Sequence, residues 1–381
     1  MTGLTRRTGF EVELLAPPGG DRRALADAVA ARCGGRVRRV FHSDSEPSLV
    51  PGMGCFWHLT PGFEVRDATG APVATFVDDI TLVADLASER VLGPAGRAPR
   101  PAGDPASAGG HQDWYRLLSD DPRLLRLVAD HSDPAAPLAR ALEPVAALFG
   151  TPVETIGPAR RLRDAAGATI ALAAPLAAGR ERPCEVITPP LVHGHEAALE
   201  ALLAPARELG FTVPSEAAVH LHVDGAPFRS AGAFANLVRL FGHWRAHLRA
   251  ALGTNPACTR LRALPAPLLD LVEQERPGGA GGWARLQAAA AATGITKYYD
   301  VNLTALLTDT PGRDTVEVRI LPGALRPSDI TARAALLEAL LDRCQQPRPL
   351  PLPRTRVVDD PMDPRRAAQQ LRALASGGTP Q

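Results

Sequence analysis

Four short segments alternate apolar residues with residues able to hold metals or phosphates. They are Phe10-Glu11-Val12-Glu13-Leu14, Cys184-Glu185-Val186-Ile187, Val219-His220-Leu221-His222-Val223-Asp224 and Val316-Glu317-Val318-Arg319-Ile320. Successive side chains of a strand point to opposite faces, so Glu11 and Glu13 share one face while Phe10, Val12 and Leu14 take the other. If the four segments join one sheet, one face is a core. The other then carries four glutamates, His220, His222, Asp224 and Arg319. Two carboxylates about 5 Å apart repel by roughly 3 kcal/mol at an effective dielectric near 20. Divalent cations would relieve that repulsion. Mg²⁺ prefers carboxylate oxygens and keeps several waters, which leaves room for substrate phosphates.

Each candidate also has a plainer reading. An isolated Glu-x-Glu strand is usually a solvated face; here the repeated pattern favours metal binding at Glu11, Glu13 and Glu185. His220 and His222 project side by side, either as a buried structural pair or with one imidazole on a cation and the other on a phosphate oxygen. Asp224 extends their polar face and favours the second use. Glu317 and Arg319 are either an exposed ion pair, worth little, or a cation ligand beside a forked phosphate contact. Asp300, Asn302 and Thr304 share a face on the preceding segment, which would present Asn302 to the same cleft. Lys297 is the only lysine among 42 basic residues. It is either a chance survivor of heavy arginine use or a position where a compact ammonium reaches a nucleotide. Arg180 and Arg182, in the loop 179–183, are surface arginines by default and anion-binding groups if that loop closes over a substrate. His193 and His195 read as residues of a loop-to-helix junction. Asp78 and Asp79 are either solvated or cap the entry to Ile80–Leu82.

These residues need elements to hold them. A strand at 9–16 ends at Pro17-Pro18-Gly19-Gly20, and Asp21 caps a helix to Cys33 that Gly34-Gly35 closes. A second strand, 37–42, leads to a polar loop at 43–47 that contains Asp44. Strands joined by turns fill 56–85, with a hairpin turn at Asp67–Gly70. The Pro-, Gly- and Ala-rich stretch 93–111 reads as an exposed loop. Helices follow at 121–149, strands at 152–156, 168–174 and 184–188, and a helix at 195–209. After the His220 strand, helices are expected at 230–252, 265–275 and 283–292. A strand at 300–304 then forms an antiparallel hairpin with the Glu317 strand, and a helix runs over 327–344. From Gln345 the chain is Pro- and Arg-rich, with a short amphipathic piece at 364–374, and reads as a peripheral tail. The irregular order favours an α+β fold with an antiparallel or mixed sheet over a doubly wound parallel one.

The totals bound the function. The 381 residues are 45% apolar and 22% charged, so the chain is globular and long enough for a large core. A net charge of +1, with no dense basic run, argues against nucleic-acid binding. Five scattered cysteines without a CxxC pair argue against a disulfide framework or zinc site and fit a reducing compartment. Without an apolar signal segment or a membrane-length apolar run, the expectation is a soluble cytoplasmic protein with no membrane partner. No Walker-type loop or GxGxxG opens a helix, so the common phosphate cradles are absent.

In order along the chain, Gly9-Phe10-Glu11-Val12-Glu13, Glu185-Val186-Ile187-Thr188-Pro189-Pro190, His220-Leu221-His222-Val223-Asp224, Asn302-Leu303 and Glu317-Val318-Arg319 resemble the motifs of the amidoligase family of carboxylate–amine ligases. The resemblance spans about 9–323. It implies a curved, mainly antiparallel sheet like the catalytic domain of glutamine synthetase and gamma-glutamylcysteine ligase, with ATP and two or three Mg²⁺ ions on its concave face. It implies one cation on Glu13 and Glu185 and a nucleotide-side cation on Glu11, His220 and Glu317. It also implies His222 and Arg319 on ATP phosphates, with Glu317, His222 and Arg319 as the catalytic set. Asp44 resembles a polar residue of the family and stands with Arg180, Arg182 and Asp224 as substrate candidates; Lys297 and Asn302 stand as nucleotide contacts. The family's additional metal carboxylate after the Glu185 position is replaced here by Pro189-Pro190-Leu191. The implied domain covers 1–345, with 45–118 as a lid or substrate-selecting insertion and 346–381 as tail. The implied reaction joins a small-molecule or peptide carboxylate to an amine through an acyl phosphate. Two alternatives are phosphoryl transfer to a guanidino group on a related sheet and a non-catalytic nucleotide-binding or scaffold protein.

Overall fold

A computed structural model of the chain describes residues 3–47, 55–83, 86, 114–259, 261–274, 282–308, 314–353 and 362–378. Among these residues the protein is α+β, and its strand pairings are antiparallel. Two compact units divide the chain: 1–13, 188–207 and 213–381 form the first, and 14–187 with 208–212 the second.

The first unit is built on strands β1 (Thr8–Leu15), β10 (Ala218–Asp224), β11 (Val301–Asn302) and β12 (Thr315–Pro322), in the order β11-β12-β10-β1. Residues 188–191 run beside β1: Thr188 N–H donates to the Phe10 carbonyl at 2.9 Å, and the Thr188 hydroxyl accepts from Phe10 N–H at 2.9 Å. Phe10, Val12, Leu221, Val223, Val316, Val318 and Ile320 are buried. The unit also carries helix α5 (Ala231–His243), α6 (Arg245–Leu252) and α10 (Pro327–Cys344). The stretch expected as one helix, 230–252, breaks at Trp244, whose backbone leaves the helical region while its buried indole donates to the Pro351 carbonyl at 2.8 Å. The strand expected at 300–304 is only two residues long, because Thr304 already opens the short helix α9 (Thr304–Leu307).

The expected peripheral tail is instead packed. Helix α11 (Pro364–Ala375) buries Ala367, Leu371 and Leu374 and packs on α6 and α10. Buried Asn236 of α5 fastens the segment that leads to it. Its amide nitrogen donates to the carbonyls of Cys344, Gln346 and Arg348 at 3.1–3.2 Å, and its oxygen accepts from Leu350 N–H at 2.9 Å.

The second unit orders its strands β9-β4-β3-β5-β8-β7-β6, with β2 also on β3. They are β2 (Arg36–Pro47), β3 (Cys55–Arg66), β4 (Pro72–Val77), β5 (Tyr115–Ser119), β6 (Glu154–Ile156), β7 (Ala159–Arg163), β8 (Thr169–Pro175) and β9 (Pro183–Ile187). Helix α1 (Arg22–Arg32) starts as the sequence predicts: the Asp21 carboxylate accepts from Ala24 N–H at 2.8 Å. The hairpin turn at Asp67–Gly70 also stands, with Gly70 at φ +87° and the Asp67 carboxylate taking the Thr69 and Ala71 N–H groups. Helices α2 (Pro122–His131) and α3 (Glu143–Phe149) cover one sheet face, where Leu125, Val128 and Val145 meet Leu59, Leu117, Leu162 and Ala173. The described part of 45–118 therefore belongs to the unit's central strands; the stretch 93–111 lies outside the described residues.

Two sequence expectations change here. Asp44 lies not in a loop but in β2, which pairs with β3 along its whole length and sets Asp44 opposite His58. Arg180 and Arg182 are not exposed groups of a mobile loop but buried. Arg180 donates to the Leu82 and Asp79 carbonyls and to the Asp78 carboxylate, at 2.6–2.7 Å, and Arg182 donates to the Ala16 carbonyl at 2.9 Å. Asp78 and Asp79 are buried too, and Asp79 caps the turn by accepting from Thr81 N–H at 2.9 Å.

Candidate metal and phosphate site

Strand register assembles a polar cluster within the first unit. Glu11 lies opposite His220 and Gly9 opposite His222 across β1 and β10. His222 lies opposite Glu317 across β10 and β12, and Asn302 opposite Glu317 across β11 and β12. Alternation then puts Gly9, Glu11, Glu13, His220, His222, Glu317, Arg319 and Asn302 on one face. A Cβ at Gly9 would stand 3.6 Å from the His222 Cβ, an ordinary contact distance. The β10–β12 register slips by one residue between Val219 and Leu221, at His220. Such irregularities re-aim side chains and are common beside functional sites.

The imidazoles sit among the carboxylates. His220 Nδ1 is 3.0 Å from Glu11 Oε2 and 3.5 Å from Glu317 Oε1, and its Nε2 is 3.3 Å from Glu13 Oε1. His222 Nε2 is 2.9 Å from Glu11 Oε1. Asn302 Nδ2 donates to Glu317 Oε2 at 2.8 Å, and Arg319 donates to Glu317 Oε1. Glu13, only 2% exposed, also accepts from the Ala218 N–H at 2.7 Å. The repulsion expected from the sequence is thus offset in part by interleaved histidines, Asn302 and Arg319.

These neighbours set the protonation states. Burial alone would raise the Glu11 carboxyl, but the charge of His222 and hydrogen bonds from both histidines hold it well below the usual range. Burial likewise opposes ionisation of Glu317, but the charges of Arg319, His222 and His220 together outweigh it, so this carboxyl is also lowered. Burial and Arg319 push His220 down. His222 goes the other way: burial disfavours its cation, but Glu11 overcomes that and raises it to about 9.

Glu11, His222 and Glu317 each offer a ligand atom, and these atoms lie within 4.8 Å of one another. Two carboxylates and an imidazole suit a divalent cation that keeps part of its water shell. The chain belongs to the amidoligase family: the family model described as "Putative amidoligase enzyme" matches residues 4–341. No curated protein and no solved structure matches the chain. That membership makes amide-bond-forming ligation the activity the family description suggests.

The other candidates stand on other elements. Glu185 stands on β9 in the second unit, as do Asp44, Arg180 and Arg182 on their own elements. Asp224 ends β10 in an exposed position. Lys297 lies in the loop before β11, with its ammonium 5.5 Å from the Tyr298 ring centre. His195 is buried, and its Nε2 lies 3.1 Å from the Arg6 and Leu191 carbonyls, which fits its plain reading. Sequence reading missed Arg245 and Arg249 of α6. They hold the buried Asp300 carboxylate at 2.7 and 2.9 Å, while the Asp300 carbonyl accepts from Arg319 N–H at 3.0 Å. No local pattern announces that support, because helix and strand meet only in the folded unit. Among the described residues, no helix is long and apolar enough to cross a membrane.

Proposed function

We propose that the protein is an ATP-dependent carboxylate–amine ligase acting through an acyl phosphate, on a sheet curved as in glutamine synthetase. The observation that carries the reading is the convergence of Glu11, His222 and Glu317 beside Arg319 on one sheet face. Their donor set fits Mg²⁺, held by Glu11 and Glu317 with His222 or His220, and Glu13 and Glu185 are the candidate ligands for a further ion. Such ions supply charge neutralisation at phosphate oxygens.

The chain's own groups do the rest. Arg319 offers a planar guanidinium to the transferred phosphoryl group. Asn302 orients Glu317, and Glu13 is fixed by the Ala218 N–H. A substrate carboxylate oxygen attacks the γ-phosphorus and ADP leaves. The amine nitrogen then attacks the acyl carbon, phosphate departs with the bonding pair, and the nitrogen loses a proton. Positioning and charge stabilisation account for most of what such a site contributes. Lys297 is the proposed nucleotide contact, and Asp224 and Asp44 the proposed substrate contacts.

The test is ADP release with carboxylates and amines varied independently. The ligase reading requires that turnover need both, whereas transfer to a guanidino compound needs no carboxylate. Absence of any Mg²⁺-dependent ATP binding would leave a non-catalytic protein.

A further inference from the structure

The second unit holds an open cleft of about 590 Å³, the size of a small-molecule site. Arg23 and Asp27 of α1, Arg36 and Arg39 of β2, Phe63 of β3 and Ala135 beyond α2 line it. Phe63 stands four residues from Leu59 on β3, so both rise on the sheet face that α2 and α3 cover. Arg39 lies directly opposite Phe63 across β2. The cleft is thus the gap that α1 and the turn after α2 leave over that face.

Its charges are unbalanced. Three guanidiniums line it against one carboxylate, an excess of two positive charges. Arginine-rich composition does not explain this, because acidic residues outnumber arginines between residues 14 and 187. Neighbouring arginines outside the cleft are paired: Arg32 with Glu208, and Arg38 and Arg66 with Glu64 at 3.1 and 2.8 Å. Inside it, exposed Arg36 makes no hydrogen bond or ion pair among the described residues. Arg23 reaches only Asp27, at 3.8 Å, and both are more than half exposed, so that pair is worth little.

One of the three is held in place. The Arg39 guanidinium stacks 4.7 Å from the centre of the Phe63 ring, and the edge of Trp114 packs on that ring at 5.8 Å. Stacking fixes the plane of a guanidinium without using its in-plane N–H donors. Such a fork matches phosphate oxygens, and a phosphate monoester carries nearly two negative charges at pH 7.

We propose that this cleft binds a small phosphorylated molecule, its phosphate on Arg36 and Arg39 with Arg23 at the rim. The volume exceeds what phosphate alone fills, which leaves room for an organic remainder. The inference does not rest on the ligase reading, because Glu11, His222 and Glu317 belong to the first unit.

Isothermal titration of the full-length protein at low salt, without Mg²⁺ or nucleotide, tests it. The probes are glycerol 3-phosphate, ribose 5-phosphate, glucose 6-phosphate, inorganic phosphate and succinate. A sugar or glycerol phosphate should bind more tightly than the last two. Arg36→Gln should weaken it about tenfold or more, as loss of a charge-assisted hydrogen bond requires. Asp27→Asn should tighten it, and Arg38→Gln, outside the cleft, should leave it unchanged. Arg36 is exposed, so its variant should melt like the wild type. The proposal is overturned if no phosphate ester binds at millimolar concentration, or if succinate or inorganic phosphate binds as tightly. It is equally overturned if Arg36→Gln binds like wild type, or if Arg38→Gln loses as much. Mg²⁺–ATP titration and ADP release with Arg36→Gln should match the wild type and report on the ligase reading separately.

Discussion

Glu11 and Glu317 carry the chemistry proposed here, and each is already ionised and partnered without a metal. Replacing either with glutamine should remove Mg²⁺-dependent ATP binding and lower turnover by 100-fold or more, with the fold retained. Calorimetry and ADP release check this; wild-type turnover in either variant removes that residue from the mechanism. His58 gives a prediction in pH. Burial first, and the charge of Arg116 second, put its folded value at about 4, below the ordinary 6.5. The unfolded chain therefore binds a proton that the folded chain refuses, and stability falls as pH drops from about 6.5 to about 4. The loss approaches about 3 kcal/mol. Denaturant melts across that range should show a shallower loss in His58→Gln. The residue types at the first site were legible from alternation alone, since Glu11, Glu13, His220, His222, Glu317 and Arg319 sit at strand spacing. The cleft of Arg36 and Arg39 was not, because only folding sets them beside Arg23 and Phe63.

At the scale of elements, β11 and β12 depend on a support below them. Asp300 is 1% exposed, is gripped by Arg245 and Arg249 of α6, and offers its carbonyl to Arg319 N–H. Asp300→Asn leaves two guanidiniums without their counter-charge and should cost about 2 kcal/mol or more. It should also weaken ATP binding by loosening Arg319. Urea melts and nucleotide titration measure the two effects, and an unchanged melt would show that α6 does not anchor the strand pair. Caps and turns such as Asp21 and Asp67–Gly70 were readable because their partners lie within four residues. Strand β2 was not. Its Ser43-Asp44-Ser45-Glu46-Pro47 end has the composition of a loop and is strand because β3 pairs with it throughout.

Across the whole molecule, the C-terminal segment is the main departure from expectation. Its helix buries Leu371 and Leu374 against the first unit, and Asn236 ties down the chain that precedes it. Leu371→Ala should destabilise by about 2–5 kcal/mol. Truncation after residue 353 should lower the melting temperature further and impair soluble expression. A truncated protein that melts like the full chain would return the segment to the periphery.

The sequence by itself determined which residues share a strand face, where most helices start, and membership in a family of ligases. Each of those depends on spacing within a few residues or on short motifs. Tertiary structure decided which strands are neighbours and in what register. It therefore decided that His222 meets Glu11, that Asn302 orients Glu317, and that Arg180 serves the interior. Such pairings join residues up to hundreds of positions apart, and only burial of the common core selects among them.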